Sequence, residues 1–185
     1  MTVDNELKLS LHISGCVAKT HSRSYLIHKC FLSKDRDSLL RAYVTYVRPL
    51  LEYASQVWSP HLLTDIHKLE AVQRRFTKRL HGMRNLDYPS RLNVLNIDSL
   101  QKRRLRADLV FTYKILFGLV DVIPEDFFYL NNNSLHETRS NNPYKLYVTN
   151  CRVDTRKYLF CKRVENVWNS LSAVEGDYKT LDTFK

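Results

Sequence analysis

Between residues 66 and 80 the apolar positions Ile66, Leu69, Val72, Phe76 and Leu80 recur in steps of three and four, which sets them on one stripe of a 3.6-residue helix. Arg74, Arg75, Lys78 and Arg79 fall on the opposite side, so the helix carries a core stripe and a basic stripe back to back. Thr64 is placed to cap its N-terminus, with Asp65 in the first turn where the helix dipole favours an anion. His81-Gly82 forms the stop, because glycine tolerates the left-handed conformation that follows a helix. The stretch Arg48–Leu80, of which this helix is the second half, organises the rest of the chain.

The same pattern reading extends to both sides. Residues 2–8 read as a strand remnant or frayed lead-in, and Leu9–Phe31 as a helix that Gly15 mildly interrupts. Ser33-Lys34-Asp35 is a turn whose Ser33 or Asp35 caps the following helix, which carries Leu39, Leu40, Tyr43, Val44, Tyr46 and Val47. Leu39, Leu40, Tyr43, Tyr46 and Val47 supply more apolar surface than one neighbouring helix buries, so an exposed patch is expected. Pro49 breaks that helix at Arg48 and opens another, Pro49 to about Trp58, ended by Ser59-Pro60. A connector, Met83–Pro89, leads to a short helix with Leu92 and Leu95. Ser99 then caps a long helix, Leu100–Phe117, stopped by Gly118. The first half of this helix projects Lys102, Arg103, Arg104 and Arg106, and its second half is apolar nearly all round. Beyond Asp121 the loop signals Asn131–Ser134 and Ser140–Pro143 take over. Tyr144–Val148 alternates like a short strand pairing with Asn150–Val153. A last helix spans about Lys157–Leu171, and the residues through Phe184 enter one more. The expected class is mainly α: a helical bundle over residues 1–120, then an extension over 121–185 with loops, a short β-hairpin and one helix.

Composition and charge sharpen this picture. Hydrophobic residues make up 44% of the 185 residues, enough to build a core and too many for a disordered tail. No apolar run is long enough for a membrane span, and the start lacks a secretory pattern, which predicts an intracellular chain, nuclear or cytoplasmic. Cys16, Cys30, Cys151 and Cys161 show no ligand spacing and read as reduced thiols. The formal net charge is +10. Residues 61–118 hold 12 Lys and Arg against 5 Asp and Glu, a net of +7, whereas residues 119–185 hold 9 of each. A basic excess concentrated in the middle third has the distribution of a nucleic-acid footprint, with Arg74–Arg79 and Lys102–Arg106 as the phosphate-contacting clusters. The plainer reading of either cluster is a solvated face. Catalytic chemistry has no visible centre. The four glycines are isolated, no carboxylate pair has two-metal spacing, and His61 and His67 share no helix face. Trp58 and Trp168 read as core anchors. No cofactor or metal is expected.

Three segments carry a resemblance: VRPLLEYASQVWSP (Val47–Pro60), LEAVQRRFTKRLHG (Leu69–Gly82) and YPSRLNVLNIDSLQKRRLRADLVFTYKIL (Tyr88–Leu116). With TRKYLFCKRVENVWNSL (Thr155–Leu171) and the opening TVDNELKLSLHI (Thr2–Ile13), they resemble in collinear order the C-terminal part of reverse transcriptases from non-LTR retrotransposons of the jockey and CR1 type. The resemblance implies a thumb-like helical region, with its C-terminal extension, that holds a template–primer duplex by its backbone. The family's palm hairpin with two adjacent aspartates and its endonuclease domain have no counterpart here. The chain therefore reads as the noncatalytic tail of a degenerate or domesticated copy, translated from an internal methionine, and not as an enzyme. The partner implied is nucleic acid (RNA–DNA hybrid, RNA or DNA) bound without regard to sequence. The alternatives are a helical module that docks on protein, such as a reverse transcriptase palm or a second copy, and a pseudogene product without a selected role.

Overall fold

The computed structural model describes residues 9–131, 144–171 and 180–184. It is mainly helical, as the periodicity predicts, and divides into two compact units, Met1–Arg104 and Leu105–Lys185. The division falls inside the long helix α7 (Leu100–Leu116) and not after residue 120. The reason is packing: Leu100 joins the core of the first unit, while Tyr113 and Ile115 belong to the core of the second.

In the first unit α1 (Ser10–Cys30), α2 (Arg36–Tyr46) and α5 (Leu63–Lys78) enclose a core that includes Ile13, Ile27, Leu39, Tyr43, Leu69, Val72 and Phe76. The predicted stripe of α5 is buried at Leu69, Val72, Phe76 and Leu80 and half-buried at Ile66. Polar residues are buried beside it. Gln73 is fully enclosed, accepting from the Tyr43 hydroxyl at 3.0 Å and donating to Tyr88 Oη at 3.1 Å and to the Asp98 carbonyl at 3.0 Å. Enclosed amides are tolerated when every group finds a partner, and this one ties α5 to α2 and to the segment before α7.

Capping follows the sequence in part. Asp35 caps α2, accepting from the Ser38 amide at 2.9 Å. Ser99 Oγ accepts from the Lys102 amide at 3.2 Å, and Glu70 of α5 accepts from the Leu100 amide at 3.2 Å, so α7 is capped both locally and from a distance. At its other end Gly118 has φ +65°, with its N–H bonded to the Ile115 carbonyl and the Leu119 N–H to the Lys114 carbonyl, a Schellman stop. Thr64 is not a cap. Helix α5 starts at Leu63 behind Leu62, and Asp65 instead accepts from Ser10 Oγ at 2.5 Å and from Lys68 Nζ at 2.8 Å, pinning the start of α1.

The helix expected over Pro49–Trp58 is two, α3 (Arg48–Glu52) and α4 (Ser55–Trp58). Ala54 between them adopts φ +53°, a left-handed turn with no glycine to announce it. The buried Trp58 indole donates to the Tyr53 carbonyl at 2.7 Å, which satisfies an acceptor that the break exposes. Leu39, Tyr43 and Val47 are buried in the core and only Tyr46 of that group is well exposed, so the apolar patch expected there does not exist. Helix α6 (Tyr88–Leu95) follows a turn through Met83–Asp87, with Gly82 at φ +76°.

The second unit gathers Tyr113, Ile115, Phe128, Leu146, Val164 and Trp168 around the latter part of α7 and α9 (Phe160–Asn169), with short turns α8 (Asp154–Lys157) and α10 (Leu181–Phe184). Arg163 of α9 makes a two-pronged ion pair with Asp108 of α7 at 2.9 and 3.0 Å. Trp168 is a core anchor, as is Trp58 in the first unit. No hairpin forms between Tyr144–Val148 and Asn150–Val153. Leu146 makes an isolated antiparallel bridge to Leu130, and Asn169 occupies its backbone instead, Oδ1 accepting from the Leu146 N–H and Nδ2 donating to its carbonyl, both at 2.8 Å. With those groups taken, the side of Leu146 away from Leu130 has no backbone group left for the expected strand. Residues 2–8 and the loop signals at 132–134 and 140–143 lie outside the described residues.

Candidate functional site

The two basic clusters have different fates. On α5, Arg74, Arg75, Lys78 and Arg79 are all exposed, opposite the core stripe. Arg74 leans over the Tyr88 ring at 5.1 Å, a cation–π contact that orients it toward α6. Arg75, Lys78 and Arg79 instead line a cleft of about 450 Å³ against α1, with His21, Ser24, Tyr25 and His28 on the other wall. An adjoining cleft of about 680 Å³ shares His28, Lys78 and Arg79 and adds Lys34, His81 and Arg84. Among the described residues, no carboxylate lines either one.

On α7 the expected cluster disperses. Arg103 is held by Glu52 through both its Nε and its Nη2, the latter at 2.9 Å, and Arg48 approaches the same carboxylate at 3.8 Å. Arg104 is 3% exposed. Lys102 pairs with Asp98 at 2.7 Å on the surface, and Arg106 is exposed in the second unit. Arg103 and Arg104 are therefore structural: one neutralises a carboxylate from α3, the other is covered by the fold. Replacing Arg103 by alanine should lower the unfolding free energy by about 1–3 kcal/mol. It should leave the salt dependence of polyanion binding unchanged, which denaturant titration and binding isotherms measure together.

Periodicity predicts helix α1 but not its part in the cleft. The helix contributes one wall of the cleft, and Lys34 closes its end by donating to the His28 and Phe31 carbonyls at 2.7 and 3.0 Å. The sequence does carry a signal for this, though not in hydropathy: no Asp or Glu occurs between Glu6 and Asp35, or between Glu70 and Asp87. The fold lays these two acid-free stretches side by side. Arg91 is structural: buried, it donates to Thr77 Oγ1 at 3.2 Å, the Leu86 carbonyl at 2.6 Å and the Arg74 carbonyl at 3.4 Å, securing the end of α5.

The two cleft histidines are shifted by burial and by the neighbouring cations. Burial, then the Arg75 charge, lowers the His21 pKa below its usual 6.5. Burial, then Arg79 and Lys34, does the same to His28. A base whose folded pKa is depressed has no effect on stability above the unfolded value. As pH falls through 6.5 the unfolded chain takes up these protons first, so the fold loses stability until the folded values are passed. The urea midpoint should therefore drop between pH 7 and pH 5, and drop less in a His21→Gln, His28→Gln double variant.

Among the described residues no group of His, Cys, Asp and Glu is placed to hold a metal ion. No helix among them is long and apolar enough to cross a membrane. No family model matches the chain, and no solved structure does. A Caenorhabditis elegans protein described as uncharacterized is 27% identical over 119 residues, covering 63% of this chain and 60% of that protein.

Proposed function

We propose that this chain is a noncatalytic nucleic-acid-binding module, the remnant of the thumb region of a non-LTR retrotransposon reverse transcriptase, and that it grips RNA, DNA or their hybrid by phosphate contacts. The observation that carries this is the pairing of the α5 basic stripe with the acid-free α1 across a carboxylate-free cleft. Cations paired with carboxylates are neutralised in place; cations gathered without any leave a positive field that attracts a polyanion. Because every nucleotide presents the same phosphate, contacts of this kind position a strand without reading its sequence. The resemblance of Val47–Pro60, Leu69–Gly82 and Tyr88–Leu116 to the thumb region supports the descent.

Fluorescence anisotropy with an RNA–DNA hybrid and two duplexes of unrelated sequence tests the reading. All three should bind with affinities within a few-fold of each other, and each should weaken steeply with salt. Preference for one sequence, or affinity indifferent to salt, would refute it. A primer-extension assay with Mg²⁺ or Mn²⁺ should show no template-dependent incorporation, because phosphoryl transfer needs carboxylates arranged to hold metal.

A further inference from the structure

Most hydroxyls buried in these helices are spoken for. Thr20 donates to the Cys16 carbonyl at 2.9 Å, Thr77 to the Gln73 carbonyl at 2.9 Å and Thr112 to the Asp108 carbonyl at 3.0 Å, the usual bond back to the preceding turn. Ser24 departs from this. It is 8% exposed, yet its Oγ has no hydrogen-bond partner, and one turn further along α1 the Nε2 of His28 is likewise buried without one. Both residues line the cleft, facing Arg75, Lys78 and Arg79 of α5. Buried polar groups in folded proteins are nearly always satisfied, and two orphans four residues apart beneath three cations call for an acceptor-rich anion.

We propose that the α1–α5 cleft is a phosphate pocket, in which Ser24 Oγ and His28 Nε2 donate hydrogen bonds to the phosphoryl oxygens while Arg75, Lys78 and Arg79 supply the charge. This rests on the nucleic-acid reading above and deepens it: the strand does not merely lie on a basic face but inserts one phosphate between two helices. The Arg75 and Arg79 side chains, exposed at the rim, turn inward onto the anion as it enters. The phosphate is an internal phosphodiester or a terminal monoester, since both offer the same oxygens to these donors. The charged and titratable groups lining the clefts with His28 are Arg75, Lys78 and Arg79 from α5, Lys34, His81 and Arg84 from the turns, and His21 and Tyr25 on its own helix. None of these competes with the ligand as an anion.

The test compares the wild-type chain with Ser24→Ala and His28→Gln in binding an oligonucleotide hybrid, with and without a 5′-phosphate. Each substitution should weaken binding by about three- to tenfold, the range of one hydrogen bond. Neither should change the salt slope, because neither removes a fixed charge. Ser24→Ala should not lower the unfolding midpoint, since the hydroxyl has no partner in the fold to lose, so weaker binding there reports the pocket and not damage. Tighter binding of the 5′-phosphorylated hybrid assigns the pocket to a terminal phosphate, and equal binding assigns it to an internal one. Inorganic phosphate, titrated into the chain by NMR, should shift the His28 ring resonances whichever strand is used. If both variants bind as the wild type does while loss of the α5 cations abolishes binding, the pocket is wrong and the basic face stands. If the hybrid fails to bind while inorganic phosphate still moves His28, the nucleic-acid reading falls and the pocket survives. If phosphate leaves His28 unmoved, the pocket is overturned.

Discussion

Replacing Arg75, Lys78 and Arg79 together by alanine should reduce hybrid affinity by about two to three orders of magnitude near 0.1 M salt, and leave the fold intact. The size follows from counterion release. Each phosphate contact contributes about 0.9 to the slope of log K against log salt on B-form DNA, and somewhat less on single strands. Losing three contacts should flatten the slope by about 2.5 to 3, and near 0.1 M each is equivalent to roughly a tenfold change in affinity. The helix should survive, because all three side chains are exposed and alanine is the better helix former. Adding Arg74→Ala should cost less than the other three, since that guanidinium is already engaged over Tyr88. A Lys145→Ala, Lys157→Ala variant, changed in the second unit, should bind as the wild type does. An unchanged slope in the triple variant would make the stripe an ordinary solvated face and favour docking on protein.

The second large effect is on stability. Phe76→Ala should cost about 3–5 kcal/mol, the range for deleting a buried aromatic and leaving a cavity. Phe76 is 1% exposed, and its ring packs at 4.6 Å from both His28 of α1 and Tyr43 of α2. One truncation therefore loosens both helices from α5. Domains of this size hold only about 5–15 kcal/mol in total, so the variant should melt some 15–30 °C lower or fail to fold at 37 °C. Chemical denaturation followed by circular dichroism would measure it. A loss below about 1 kcal/mol would mean that α5 is not the centre of the first unit.

These residues also show what was legible before the structure. The α5 stripe is legible because apolar burial is enforced at every turn of a helix, and that repetition survives in the sequence. The width of its buried face was not legible. Gln73 and Glu70 look like surface residues until Tyr43, Tyr88 and Leu100 arrive from elsewhere in the chain to bond with them. The same limit misplaced the α7 cluster. Arg103 looks like a projecting cation because Glu52, its partner, stands 51 positions earlier. Pattern reading sees which side chains share a helix face, not which opposite charge will be laid against them. The break at Ala54 left no trace either, since left-handed turns are normally flagged by glycine or asparagine, and here tertiary packing around Trp58 pays the strain. The Tyr144–Val148 alternation was real, but a side-chain amide on α9 took the place of the expected strand. Half the candidate cleft was foreseeable from α5. The α1 half was written in missing carboxylates, which hydropathy does not register.

Mapping the contact by NMR tests the central claim most directly. A hybrid oligonucleotide titrated into the ¹⁵N-labelled chain should move the amides of His21–His28 and Arg75–Gly82 together, with one saturation curve, and leave those around Arg103, Arg104 and Lys157 in place. Shifts confined to other surfaces, or none along α1 and the end of α5 at saturating ligand, would contradict the account.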